Sequence, residues 1–111
     1  WGGSTTFLYA TRQPELDAAV IYYGSAPTDR DALANIDCHV LGLYGGDDAR
    51  VTSTVEATSE AMNELSRGFT ARIYDGAGHA FLRLQGTRDG ANLAAARNAW
   101  ATTLEFLKGH L

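Results

Sequence analysis

The sequence predicts an open α/β fold in which three parallel strands alternate with helices. Three short apolar runs, at residues 18–23, 39–44 and 70–74, each lead into a turn that contains Gly or Asp. Continuous apolar runs of this length are typical of parallel strands that are covered on both faces. Segments with helical periodicity lie before, between and after these runs, so helix and strand alternate along the chain.

Two of the predicted helices flank the first strand. One begins at Ser4 and extends to about residue 12, and a shorter one fits residues 29–34 in the crossover to the second strand. With one further helix on each side of the third strand, the predicted order is helix, strand, short helix, strand, helix, strand, helix. This order is that of an open parallel sheet.

Two longer helices surround the third strand. The first is predicted at residues 51–67, with Thr52 and Ser53 as N-cap candidates and Gly68 at the C-cap position. Its buried stripe is predicted to contain Val55, Ala61, Met62 and Leu65. The last helix is predicted from apolar residues that recur at three- and four-residue steps, namely Leu93, Ala96, Trp100, Leu104, Leu107 and Leu111.

Composition and charge exclude several classes of protein. Thirteen acidic against nine basic residues give a net charge of −4, and no basic cluster offers a nucleic-acid or anionic-membrane site. No apolar run approaches the roughly 20 residues that span a bilayer. Cys38 is the only cysteine, so an intrachain disulfide is excluded, and the absence of His-x-x-His or paired-Cys spacing argues against a metal site.

The predicted sheet is incomplete by itself. Three strands leave an apolar edge, and the run at residues 18–23 is too hydrophobic to face water on its open side. The chain also opens at Trp1 without an initiator Met. We therefore expect residues 1–111 to be the C-terminal portion of a single domain, completed by an upstream segment or a second chain.

Chemistry-bearing residues follow two successive strands. Asp47 and Asp48 come after the second strand, and His79 follows the third within Gly-Ala-Gly-His. Parallel strands bring these loops to one edge of the sheet, which is where open α/β sheets bind ligands. An acid followed by a histidine in this order fits the orienting acid and general base of a nucleophile–acid–base triad.

The nucleophile of such a triad is expected upstream, on a sharp strand-to-helix turn. That turn places Gly two residues before and two residues after the nucleophile. The opening Trp1-Gly2-Gly3, followed by a helical segment, corresponds to the downstream half of this turn. The nucleophile would then be the residue just before Trp1.

Three motifs in this order resemble the dienelactone hydrolase family, whose members have the α/β-hydrolase fold. Trp1-Gly2-Gly3 matches the end of the family's nucleophile turn, and the acid loop, residues 46–51, resembles Gly-x-Asp-x-x-Val with Asp48 in the acid position. Residues 74–81 resemble the histidine loop, and the C-terminal stretch resembles the family's last helix. The resemblance covers nearly all of the chain.

The resemblance implies hydrolysis of esters or lactones through an acyl-enzyme. The family's nucleophile is typically a cysteine, His79 would be the base, Asp48 would orient its imidazole, and the Trp1 backbone N–H would line the oxyanion hole. Arg83 lies four residues after His79, where the family places an arginine that binds a substrate carboxylate, so a small anionic ester or lactone is implied. Hydrolysis of this kind needs no cofactor or metal. For the location of the protein, the cytoplasm is slightly favoured over export.

Alternative interpretations exist for each candidate. Asp48 fits a turn or N-cap residue, and Asp47 fits the acid position if the assignment is one residue off. Without the family pattern, the sequence around His79 fits an ordinary loop histidine, and Arg83 fits a surface arginine. The chain as a whole also fits a non-catalytic fragment or half-domain.

Other nucleophiles and histidines are less suited to the site. Cys38 precedes the second strand and therefore lies at the end of the sheet opposite Asp48 and His79, roughly 20 Å away for a strand of about six residues. Ser4 and Ser25 lack the surrounding nucleophile turn. His39 and His110 have no motif around them and are predicted to be structural.

Overall fold

The computed structural model describes residues 1–111 and contains a three-stranded parallel sheet flanked by helices. The strands are β1 (Ala18–Tyr22), β2 (His39–Gly45) and β3 (Phe69–Tyr74), arranged in the order β1-β2-β3. The helices are α1 (Gly2–Ala10), α2 (Arg30–Leu33), α3 (Ala49–Glu64) and α4 (Ala91–His110). The predicted order of elements is confirmed; the strand boundaries agree within one residue, and the predicted bounds of α1, α2 and α3 differ by one to three residues.

Both faces of β2 are buried, as the continuous apolar run predicted. Val40 packs on one face and Leu41 on the other, because successive strand residues point to opposite sides. The first face lies under α1, α2 and α3, whose core residues include Phe7, Leu33 and Met62. The second lies under α4, which contributes three alanines, Ala95, Ala96 and Ala99.

Helix α3 begins earlier than its hydroxyl residues suggested. Its first residue is Ala49 and its N-cap is Asp48, so the prediction of Thr52 or Ser53 as N-cap was wrong. The Thr52 hydroxyl instead donates to the Asp48 carbonyl at 3.0 Å, within the first turn of the helix. Hydroxyl side chains inside a helix commonly bond backward to such carbonyls, which removes them from capping.

The end of α3 uses a serine rather than the predicted glycine. Ser66 has a φ of 56°, the Arg67 N–H donates to the Met62 carbonyl at 2.7 Å, and the Ser66 N–H donates to the Asn63 carbonyl at 3.0 Å. This is the Schellman hydrogen-bond pattern, with a left-handed residue directly after the C-cap. Gly68 lies beyond the cap and is not part of it, so that prediction was wrong.

The C-terminal helix α4 is confirmed, but its buried side is not the one that the leucine spacing marks. The residues of α4 that are buried are Asn92, Ala95, Ala96, Ala99 and Thr103. Trp100 is 56% exposed and Leu104 is 42% exposed. Small side chains let the helix approach the sheet closely, so alanines occupy the contact and larger residues lie beside it. None of the helices combines the length and apolar character that crossing a bilayer requires.

Candidate active site

The loops that follow β2 and β3 touch each other at one edge of the sheet. The Asp47 N–H donates to the Ala77 carbonyl at 2.9 Å, and the Gly46 N–H donates to the Tyr74 carbonyl at 2.8 Å. Gly45 makes this approach feasible, because a Cβ there would lie 2.5 Å from the carbonyl oxygen of Gly78. The two loops that carry Asp48 and His79 are therefore held together by backbone contacts.

Asp48 and His79 form a hydrogen-bonded pair at this edge. Asp48 Oδ2 lies 2.5 Å from His79 Nδ1, and the Asp48 side chain is 7% exposed while that of His79 is 40% exposed. Although Asp48 is the N-cap residue of α3, its carboxylate accepts no hydrogen bond from the helix. The carboxylate is thus directed to the imidazole, and Nε2 is the ring nitrogen left for proton exchange.

The neighbouring acid, Asp47, has a different partner. Its Oδ2 accepts a hydrogen bond from Arg88 Nη1 at 2.9 Å, and both side chains are about half exposed. The structure therefore brings Asp48, not Asp47, to the histidine. The family motif had placed Asp48 in the acid position and left Asp47 as the alternative, and the geometry agrees with Asp48.

His79 and the start of the chain share one open cavity of about 500 Å³. Trp1, His79 and Arg83 all line it, together with the side chains of Tyr22 and Tyr23. The beginning of α1 lies hard against the end of β1, because a Cβ on Gly3 would meet the Tyr22 carbonyl at 2.3 Å. Trp1 is thereby placed on the same rim as the histidine, with 95% of its surface exposed.

Tyr23 is a site residue that the sequence analysis did not single out. Its ring centroid lies 5.2 Å from that of His79 and 5.3 Å from that of Phe81. Burial raises the pKa of the Tyr23 hydroxyl, with a further contribution from Tyr22. Tyr23 could have been found in the sequence from its position as the last residue of an apolar run, because the strand there reaches the edge of the sheet that carries the site.

Two non-glycine residues with left-handed backbone flank the cavity. Tyr23 has a φ of 43° and Ala80, directly after His79, has a φ of 58°. Such conformations cost on the order of 1–3 kcal/mol each and persist where surrounding contacts impose them. Both left-handed residues lie beside His79, where the direction of the backbone determines which groups the imidazole faces.

The remaining candidates lie away from the pair. Cys38 is buried directly before β2, at the other end of that strand from Asp48, and burial raises the pKa of its thiol. His39 stacks on His110 with ring centroids 4.8 Å apart, near the same end of the sheet as Cys38. The Ser4 hydroxyl accepts a hydrogen bond from the Ser25 N–H at 3.0 Å, which joins α1 to the loop after β1.

A second, larger cavity of about 620 Å³ lies between the loop after β1 and helix α3. Its wall contains small hydroxyl and methyl side chains, and neither Asp48 nor His79 contributes to it. Its one basic residue, Arg30, pairs with Glu64. The larger of the two cavities is therefore not the one that His79 lines.

The architecture is that of part of an α/β-hydrolase fold, with parallel strands, helices on both faces and loops that meet at the carboxyl edge of the sheet. The chain belongs to the dienelactone hydrolase family, because the model of that family matches residues 1–111. The resemblance seen in the three sequence motifs is thereby confirmed.

Individual relatives support the assignment at the level of sequence. A protein of Salmonella typhimurium named "Putative carboxymethylenebutenolidase" is 36% identical over 119 residues. The alignment covers 96% of this chain and 42% of that relative. The chain therefore spans less than half the length of the curated relative.

Solved structures support the assignment at the level of fold. The crystal structure described as "Putative Dienelactone Hydrolase" from Klebsiella pneumoniae has a TM-score of 0.81 and 31% identity, covering 95% of this chain and 47% of that one. The dienelactone hydrolase-like promiscuous phosphotriesterase P91, from metagenomic libraries, has a TM-score of 0.82 at 21% identity, covering 97% of this chain and 48% of that one. This second likeness is one of fold alone.

Proposed function

We propose that residues 1–111 supply the acid and the base of a site that hydrolyses esters or lactones. The observation that carries this proposal is the Asp48–His79 hydrogen bond beside a cavity that Trp1 also lines. In this proposal the chain is the C-terminal portion of one α/β-hydrolase domain. The nucleophile occupies the position directly before Trp1 and lies outside these residues.

The proposed reaction proceeds through an acyl-enzyme. His79 Nε2 removes the proton of the nucleophile as it attacks the substrate carbonyl, and the Trp1 backbone N–H donates to the developing oxyanion. His79 then returns the proton to the leaving alkoxide as the carbon–oxygen bond breaks. In the second half, His79 takes a proton from water as the water attacks the acyl group. The bond between the acyl carbon and the nucleophile breaks to release the carboxylic acid, and His79 returns its proton to the nucleophile.

Asp48 supports both halves of this cycle. Its bond to Nδ1 holds the imidazole in the tautomer whose Nε2 is free to accept a proton. When the imidazole becomes protonated, the adjacent carboxylate stabilises the positive charge. The low exposure of Asp48 keeps water from competing for that interaction.

The proposed nucleophile is a cysteine, on the strength of the Trp-Gly-Gly sequence that follows the family's cysteine. The single cysteine of this chain does not fit that role. Cys38 is buried at the opposite end of β2, and its raised thiol pKa keeps the reactive thiolate scarce.

The proposed substrate is a small ester or lactone that carries a negative charge. Arg83 lines the cavity and supplies a guanidinium group that matches a carboxylate. The Salmonella relative is named for a butenolide with a carboxymethylene group, which has that combination of lactone and carboxylate. The partly buried Tyr22 and Tyr23 offer apolar surface to the remainder of such a molecule.

The partner in this proposal is a polypeptide segment that pairs with the outer edge of β1. Within residues 1–111, β1 pairs with β2 alone and so ends the sheet on that side. Such a segment, upstream in the same polypeptide or on a second chain, would complete the sheet and bring the nucleophile to the cavity. We expect residues 1–111 to turn over no ester without it, because loss of a triad nucleophile costs about 10⁶ in rate.

The experiment compares His79→Ala with the unmodified sequence in a polypeptide that continues upstream of Trp1, using small activated esters and lactones. We expect the unmodified protein to be active and the variant to lose nearly all turnover. Ordinary activity in the variant would refute the assignment of His79. Robust turnover by residues 1–111 alone would refute the external nucleophile, and no turnover by any form would favour a non-catalytic half-domain.

A further inference from the structure

Asn92 is a buried polar residue in the first turn of α4 and contacts the histidine loop. It is 1% exposed, and burial of an amide is costly unless its hydrogen bonds are made. Its Oδ1 accepts a hydrogen bond from the Gly78 N–H at 2.9 Å. Its Nδ2 donates to the Leu84 carbonyl at 2.9 Å and to the Thr87 hydroxyl at 2.8 Å. Both amide hydrogens and the carbonyl oxygen of Asn92 are therefore used.

These three bonds hold both ends of the loop that carries His79. Gly78 directly precedes the histidine, while Leu84 and Thr87 lie on its far side. Residues 75–87 contain only turns and irregular backbone, so no strand or helix bonds fix their course. One side chain on a helix that packs firmly against the sheet thus closes this loop.

Asn92 adds to the other restraints on the histidine, which bonds to Asp48 and lies against the ring of Tyr23. The His79 side chain is 40% exposed, and the backbone of Ala80 after it is left-handed. A strained backbone of this kind keeps its conformation only where neighbouring contacts hold it. The Asn92 carbonyl oxygen holds the Gly78 N–H, one residue before His79, and so restrains the direction from which the imidazole reaches Asp48.

We propose that Asn92 is a positioning residue that holds the His79 loop in the arrangement in which Nδ1 bonds to Asp48. The catalytic consequence of this inference rests on the proposed function. The role of Asn92 in holding the loop does not depend on that function. Asn92 acts through the peptide of Gly78. A side chain here must accept one hydrogen bond and donate two, and among residues of this size only asparagine does both.

The test substitutes Asn92→Asp, which keeps the shape and the acceptor but removes both donors. The new carboxylate faces the Leu84 carbonyl, so repulsion replaces attraction on the far side of the loop. An aspartate in the first turn suits the helix dipole, so the start of α4 is preserved. Asn98→Asp is the matched control, since Asn98 is an exposed residue on the same helix.

The first measurement is proton and nitrogen NMR of the His79 ring in the polypeptide that continues upstream of Trp1, where the hydrogen-bonded Nδ1 proton reports on the bond to Asp48. We expect Asn92→Asp to broaden or remove this signal and Asn98→Asp to leave it unchanged. In the catalytically complete protein we expect Asn92→Asp to lower kcat by about 10- to 100-fold with little change in KM, because small misplacements of a catalytic group have effects of this size.

An unchanged Nδ1 signal and an unchanged kcat in folded Asn92→Asp would overturn the proposal. If that variant does not fold, Thr87→Val replaces it, because it removes one exposed hydrogen-bond partner of Asn92. We then expect a weakened Nδ1 signal, and an unaltered one would overturn the proposal. Loss of the signal in a protein that hydrolyses no ester would instead reject the proposed function and leave the positioning role intact.

Discussion

Asp48 Oδ2 lies 2.5 Å from His79 Nδ1, although the two residues are 31 positions apart in the sequence. The contact depends on β2 and β3 ending at the same edge and on Gly45, where any side chain would collide with the histidine loop. Asp48 also marks the start of α3, and the Val51 and Thr52 N–H groups both donate to its carbonyl. The backbone of Asp48 thus begins the helix, while its carboxylate forms a hydrogen bond with the imidazole of His79.

Replacing Asp48 tests this relationship directly. We expect Asp48→Asn, in the catalytically complete protein, to lower kcat by about 10⁴-fold, because an amide favours the wrong imidazole tautomer. Asp47→Asn is the matched control, since Asp47 is adjacent and its carboxylate bonds to Arg88 rather than to His79, and we expect it to change kcat little. Initial rates of ester hydrolysis measure both. Equal losses in the two variants would contradict the assignment.

Replacing Arg83 tests the charge of the substrate. We expect Arg83→Gln to raise KM about 10- to 100-fold for a lactone with a carboxylate, since a hydrogen bond to a charged group contributes about 1.5–3 kcal/mol. A neutral ester of similar size serves as the control substrate and should show little change. Steady-state kinetics on the two substrates measure the difference. A similar rise in KM for both would show that Arg83 does not recognise charge.

The stability of the fold is expected to fall at mildly acidic pH through His39. Burial lowers the pKa of His39 below its ordinary value of about 6.5, and the charge of the neighbouring His110 lowers it further. The unfolded chain therefore binds this proton at a higher pH than the folded chain, so stability is lost as pH falls from about 6.5 towards the folded pKa.

Urea unfolding between pH 7.5 and pH 5 measures this loss of stability. His39→Gln is the comparison, because glutamine retains polar atoms that can reach the Thr70 hydroxyl, the present partner of His39 Nε2. We expect a shallower pH dependence in that variant. An identical dependence in the variant would assign the effect to other groups.

Cys38 is expected to react slowly with thiol reagents while the protein is folded. It is 7% exposed, and burial raises the pKa of its thiol, so both access and thiolate concentration are low. Labelling with iodoacetamide at pH 7.5, with and without denaturing urea, measures the difference. We expect rapid modification only in urea, and fast labelling of the native chain would contradict the buried placement.

Local patterns were sufficient for most of the secondary structure. Each apolar run became a strand, and in β2 the reason is plain, because Val40 and Leu41 are buried under different helical layers. The edge strand β3 has no buried residue. The helix ends were harder to predict. Ser66 adopts the left-handed cap two residues before Gly68, and Thr52 bonds back to Asp48, since these choices depend on where the chain goes next.

Local sequence patterns were enough to predict the fold class, the family and the two loops on which an acid and a histidine follow successive strands. Packing joined the Asp48 carboxylate to His79, turned the alanine side of α4 to the sheet, and brought Tyr23 to His79 and Asn92 to Gly78. The two groups of features differ in the distance along the chain over which the underlying interactions act. Turn chemistry and apolar periodicity act over a few residues, whereas a hydrogen bond across 31 positions, or the choice of a buried helix face, is set by the packing of several elements at once.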